Sequence, residues 1–162
     1  MKKYLLIALV LIGFTSNAQQ HEVKLDVLDL IAFKSLDATY QYILNEESSV
    51  GLSIFKPLSD NNYIYNENFS ITPFYRQYFP LGAIENIFAE AFFSINSGDG
   101  EDENGVPATY TDGAFGFAVG KKYISPRGFV LEGMIGLGRN LFDNNDSPTA
   151  VLRTGINIGY QF

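Results

Sequence analysis

The sequence predicts an all-β chain, a single eight-stranded antiparallel up-and-down transmembrane β-barrel at residues 19–162 behind a cleaved signal peptide at 1–18. Three observations lead there. The closing stretch alternates at period two, with Leu152, Ile156, Ile158, Tyr160 and Phe162 on one face and Arg153, Gly155, Asn157, Gly159 and Gln161 on the other. It stops on an aromatic residue, with large apolar side chains that no following element covers. Such an edge invites aggregation, unless the strand closes a ring and lipid covers its apolar face. Comparable runs recur about eight times, each near the ~9–11 residues that a tilted strand needs to cross a bilayer.

The N-terminus has the three parts of a secretory signal: Lys2 and Lys3, an apolar run from Leu5 to Phe14, and the small-x-small site Ser16-Asn17-Ala18. The mature chain is expected to begin at Gln19. The apolar run falls short of the roughly 20 residues of a transmembrane helix. Cleavage removes two lysines and takes the formal charge from −7 to −9. That acidity argues against nucleic acid as a partner. Without cysteine there is neither a disulfide framework nor a lipid-modified N-terminal cysteine. The 14 Phe, 10 Tyr and 15 Gly suit strands, turns and aromatic girdles.

The first strand is expected over Glu22 to Ile31, with Val23, Leu25 and Val27 against Glu22, Lys24 and Asp26, and with Asp29 near its far end. A short connection at Phe33 to Ser35 leads to a second strand, where Ala38, Tyr40 and Tyr42 oppose Asp37, Thr39 and Gln41. Asn45-Glu46-Glu47-Ser48 reads as a tight turn. The third strand runs from Ser49 to Phe55, and a polar loop covers Lys56 to Asn68. The fourth, Phe69 to Phe79, carries Arg76 on the face of Ser70, Thr72, Phe74 and Tyr78, with a bulge or bend expected at Pro73. After Pro80-Leu81-Gly82 comes the fifth strand, Glu85 to Ile95, whose Glu90 shares an inward face with Phe88 and Phe92. Asn96 to Asp112 is then the longest and most acidic loop. Strands six (Gly113 to Tyr123) and seven (Phe129 to Gly138) flank the turn Ser125-Pro126-Arg127-Gly128, and a loop over Arg139 to Pro148 precedes the last strand. Connections mostly alternate short and long, as tight periplasmic turns and longer outer loops do. Tyr42, Phe79, Tyr123, Phe129, Tyr160 and Phe162 gather at the short-turn side as a girdle.

The polar face carries small residues, notably Gly116, Ala118, Gly120, Gly136, Gly155 and Gly159, which a narrow lumen needs and a solvated face does not. It also carries Lys24, Asp26, Arg76, Glu90, Lys122, Glu132 and Arg153. Charges inside a small barrel must pair, so a ladder is expected down the lumen with Arg76, Glu90, Glu132 and Arg153 at its centre.

Several stretches together resemble a family of small, functionally uncharacterised bacterial outer-membrane barrels, similar to the OmpA and OmpX transmembrane domains. They are Val23-Lys24-Leu25-Asp26, Ala38-Thr39-Tyr40-Gln41-Tyr42, Phe74-Tyr75-Arg76-Gln77-Tyr78, Gly116-Phe117-Ala118-Val119-Gly120 and Gly159-Tyr160-Gln161-Phe162. The resemblance implies an assembly signal in the last strand, read by the outer-membrane insertion machinery, to which Tyr160 and Phe162 correspond. It also implies an acidic lumen residue in the second strand, where this chain has Gln41, so that one rung is expected to be neutral.

Catalytic chemistry finds no footing. His21, the single histidine, is expected beside the cleavage site and outside the barrel, so a serine nucleophile lacks a base, and no cysteine nucleophile exists. Asp99 to Gly105 and Asp143 to Asp146 bring oxygen donors together but depart from a calcium loop, so no metal or cofactor is expected. The expectation is a non-enzymatic barrel of the bacterial outer membrane with a structural or surface-interaction role. Its partners would be lipid, the insertion machinery and possible extracellular contacts at the long loops from Lys56, Asn96 and Arg139. The alternatives are a soluble exported lipocalin-like barrel, with Val50, Leu52, Ile54, Phe115 and Phe117 turned inward on an apolar ligand, and a narrow channel.

Overall fold

The computed structural model describes residues 20–58, 67–81, 84–101, 106–142 and 147–162. The segment read as a signal peptide lies outside them, as do 102–105 and the Asp143 to Asp146 run. The strands are β1 (His21–Asp26), β2 (Ser35–Asn45), β3 (Ser48–Pro57), β4 (Glu67–Leu81), β5 (Ile84–Glu101), β6 (Pro107–Ile124), β7 (Phe129–Asn140) and β8 (Ala150–Gln161). Each pairs antiparallel with its sequence neighbours, and β8 returns to β1 from Glu22↔Gln161 to Asp26↔Asn157, closing the barrel. At the seam, His21 N donates to Phe162 O at 3.0 Å and Phe162 N to His21 O at 2.8 Å. Closure pairs β8 from Asn157 to Gln161 with β1, so the aromatic end of the final stretch is not an open edge.

Alternation sets the polarity of the wall. Phe117, Ile135 and Leu137 are 63%, 61% and 65% exposed on the outside, whereas Lys24, Arg76, Glu90 and Glu132 are 1% exposed or less within. Val50, Leu52, Ile54, Phe115 and Phe117 all lie on the exposed outer face, which overturns the lipocalin-like alternative that required them inside. Lumen space goes partly to aromatic rings. A Cβ on Gly51 would penetrate the ring of Phe74, and one on Gly120 that of Phe88, so these glycines are the recesses into which β4 and β5 pack their phenylalanines. One end of the ring carries the tight turns at Glu46–Glu47 and Pro126–Arg127, where Gly128 adopts φ 86°, together with His21 and Phe162. The longer connections lie at the other end.

Four expectations are corrected. The first strand ends at Asp26 rather than Ile31, and a helix, α1 (Val27–Ala32), follows. Asp26 caps it, its Oδ1 accepting from Leu28 N at 2.8 Å and Asp29 N at 3.1 Å. The contiguous apolar pairs Val27-Leu28 and Leu30-Ile31, which break period two, were the available sign. The first connection therefore holds a helical turn instead of the short link at Phe33 to Ser35. Asn96 to Asp112 is mostly ladder: β5 and β6 stay paired from Asn96↔Asp112 out to Glu101↔Pro107, because antiparallel pairing satisfies backbone groups whatever the side chains. Pro73 causes no bulge. β4–β5 pairing skips it between Ile71↔Ile95 and Phe74↔Phe92 without a change of register, and the shifts come instead at Glu67/Phe69 and Phe79/Leu81.

Candidate functional site

Among the described residues, one unbranched chain of alternating charge crosses the lumen. Lys122 Nζ meets Glu22 at 3.0 Å, Glu22 meets Lys24 at 2.9 Å, and Lys24 meets Glu132 at 2.8 Å. From Glu132 the chain passes to Arg76 Nη1 at 2.6 Å, from Arg76 Nε to Glu90 at 2.5 Å, and from Glu90 to Arg153 Nε at 2.6 Å. Seven side chains from β6, β1, β7, β4, β5 and β8 thus form six links. All point inward because each occupies the inward parity of its strand.

Gln41 of β2 is a neutral rung. Its Oε1 accepts from Lys24 at 2.8 Å and Arg76 at 3.1 Å, while its Nε2 donates to Ser49 at 2.8 Å and to the Tyr78 hydroxyl at 2.7 Å. All four hydrogen-bonding capacities of the amide are used. Aromatic faces cover the guanidinium groups: Arg76 Cζ lies 4.3 Å from the Phe88 ring centre and 4.6 Å from that of Phe74, and Arg153 lies 5.4 Å from that of Phe92.

Of the seven residues singled out in the sequence for this ladder, six are joined in the chain. Asp26 is not, since its carboxylate is spent on the α1 cap, and Glu22 stands in the network instead. Glu22 was legible: it precedes Lys24 by two residues and so shares its face. Arg153 is an end of the chain rather than a central member, bound to Glu90.

Above Arg153, at the long-connection end, α1 lowers Asp29 into a cavity of about 40 Å³ lined also by Asp37, Glu67, Ser70, Thr72, Phe92 and Arg153. Asp29 Oδ1, Glu67 Oε1 and Arg153 Nη2 are buried without a hydrogen-bond partner among the described residues. Burial, then repulsion from Asp26, Asp37 and Glu67, pushes the Asp29 carboxyl up to about 7 against the pull of Arg153.

His21 is corrected in place: it is the first residue of β1 and part of the barrel. Its ring stacks on Phe162 with centres 5.9 Å apart, approaches Tyr42 at 5.3 Å, and its Nδ1 lies 2.8 Å from the Tyr40 hydroxyl. Phe162 is therefore packed at the seam, while Tyr160 stands exposed beside it on the outer face.

No family model matches this chain, and no curated protein matches it. Among solved structures, the crystal structure of the N-terminal β-barrel domain of Pseudomonas aeruginosa OprF superposes with a TM-score of 0.63 over 90% of this chain and 100% of that one, at 11% identity. The two share the fold of a closed, eight-stranded up-and-down barrel. At that identity the likeness is one of architecture alone.

Proposed function

We propose that this OmpA-like barrel is an integral protein of the bacterial outer membrane, exported by the N-terminal signal, with a structural or surface-interaction role and no catalytic one. The observation that carries the reading is the inside-out polarity of the wall: a belt of exposed apolar side chains outside, ionised groups within. Only lipid makes such a belt favourable, since roughly 25 cal/mol is lost for each Å² of apolar surface left in water. The lumen side chains are committed to one another, which argues against a general porin. Fractionation tests this. The protein is expected to stay with membranes through carbonate extraction and to migrate differently on gels before and after boiling. Release into the soluble fraction would refute the membrane assignment.

In this reading Tyr160 and Phe162 form the signal recognised by the insertion machinery, and the outer connections from Lys56, Asn96 and Arg139 are the contact regions. Deleting Phe162 at constant synthesis lowers the folded amount in the membrane. Exchanging the exposed side chains of the stretch Asn96 to Asp112, with the buried Asn96, Tyr110 and Asp112 kept, abolishes any surface contact made there.

A further inference from the structure

On the outer wall toward the tight-turn end, four strands each contribute one residue to a row. Lys121 of β6 pairs with Ile87 of β5 on one side and with Gly133 of β7 on the other, and Gly133 pairs in turn with Ile156 of β8. On the next outward rung Val119 pairs with Ile135. These six residues line an open groove of about 510 Å³ on the outside of the barrel. Gly133 makes the groove. A Cβ on Gly51 or Gly120 would strike a ring, whereas one on Gly133 would meet nothing within 4 Å. Register runs past Gly133 to both neighbouring strands without a shift, and its φ is not in the left-handed region, so neither a bulge nor a turn calls for glycine. A glycine inside a strand that makes no room for the protein's own side chains marks the close approach of something else.

Lys121 gives the chemistry of what approaches. The lumen cations Lys24, Arg76, Lys122 and Arg153 are each bound to a carboxylate. Lys121 is exposed, makes no ion pair among the described residues, and lies two residues from the exposed Tyr123 at the tight-turn side. A lysine on a lipid-facing wall is unfavourable near the bilayer midplane and costs little where its stem lies on apolar neighbours and its ammonium reaches the head groups. Ile87 and Val119 border the groove beside that stem. A cation at the girdle level, next to an apolar groove without a side chain in it, matches an amphiphile with a negative head and an apolar tail.

We propose that the groove holds one phospholipid of the leaflet on the tight-turn side, its anionic head group on Lys121 and an acyl chain laid over Gly133 between Val119, Ile135 and Ile156. This rests on the membrane reading above, and the test separates the two. The protein is folded into vesicles, transferred to a zwitterionic detergent and titrated with phosphatidylglycerol or phosphatidylethanolamine of the same acyl chains. Bound lipid is counted by native mass spectrometry. One phosphatidylglycerol molecule is retained in preference to phosphatidylethanolamine, and in Lys121→Gln that preference falls about five-fold, the worth of one lysine beside an anionic head group. Gly133→Leu, which fills the groove, lowers retention of both lipids while the folded band persists. Lys56→Gln, which removes an exposed lysine at the long-connection end, changes neither. An unaltered preference in Lys121→Gln, an equal loss in Lys56→Gln, or undiminished retention in Gly133→Leu overturns the site alone. So does a lipid-free dimer that Gly133→Leu abolishes, which gives the groove to a second copy of the chain. A chain that gains no folded band in vesicles overturns the membrane reading and this site with it.

Discussion

Replacing Arg76 by methionine severs the charge chain at its most connected point. Arg76 binds Glu90 at 2.5 Å, Glu132 at 2.6 Å and Gln41 at 3.1 Å, and it is sandwiched by Phe74 and Phe88. Removing one member of a buried pair costs ~3–5 kcal/mol, chiefly through the charge left behind. Here Glu90 keeps Arg153 and Glu132 keeps Lys24, so the loss should fall near the lower end, about 3 kcal/mol. Glu90→Gln strips Arg153 of the carboxylate it binds among the described residues and costs about 4 kcal/mol by the same reasoning. Once Arg76 is gone, part of that second loss has already been incurred. The double variant should therefore be more stable than the sum of the singles by about 2 kcal/mol. Arg153→Met with Glu132→Gln removes two groups three links apart in the chain, so their coupling should be smaller than that of the directly bonded Arg76 and Glu90. Urea unfolding in lipid vesicles, followed by loss of the fast-migrating folded band, measures all of them. Additivity in the Arg76/Glu90 cycle would refute the chain as an energetic unit.

Asp29 makes stability depend on pH with a definite sign. Its carboxyl titrates near 3.8 when unfolded and at about 7 when folded, so the native state holds a proton that the unfolded state has released and stability declines between those values. Asp29→Asn should leave stability at pH 4 unchanged and raise it at pH 8 by about 2–4 kcal/mol in urea titrations. Gly51→Val forces its side chain into the Phe74 ring and should cost about 1–3 kcal/mol by the same unfolding assay. Vesicles containing the folded protein should not swell in iso-osmotic arabinose, because the charge chain and four phenylalanine rings occupy the lumen.

Period-two alternation was enough to read the eight strands, their inward and outward faces and the tight turns, because in a barrel wall one face meets a crowded axis and the other an apolar surround. It was also enough to pick Lys24, Arg76, Glu90, Lys122, Glu132 and Arg153 as inward charges. It misjudged the stretch beyond Asp26, where a capped helical turn outcompetes extension, and the stretch beyond Asn96, where pairing persists through polar residues. Both are ends of elements, where local preference is weak and the neighbouring strand decides.

By itself, then, the amino-acid order determined which side chains enter the lumen, since parity along a strand is a local property. Only the closed ring decided who meets whom. Glu22 and Lys122 lie 100 positions apart, and whether Arg153 reaches Glu90 or Glu132 depends on the stagger of eight strands around the axis, a quantity that no single strand carries.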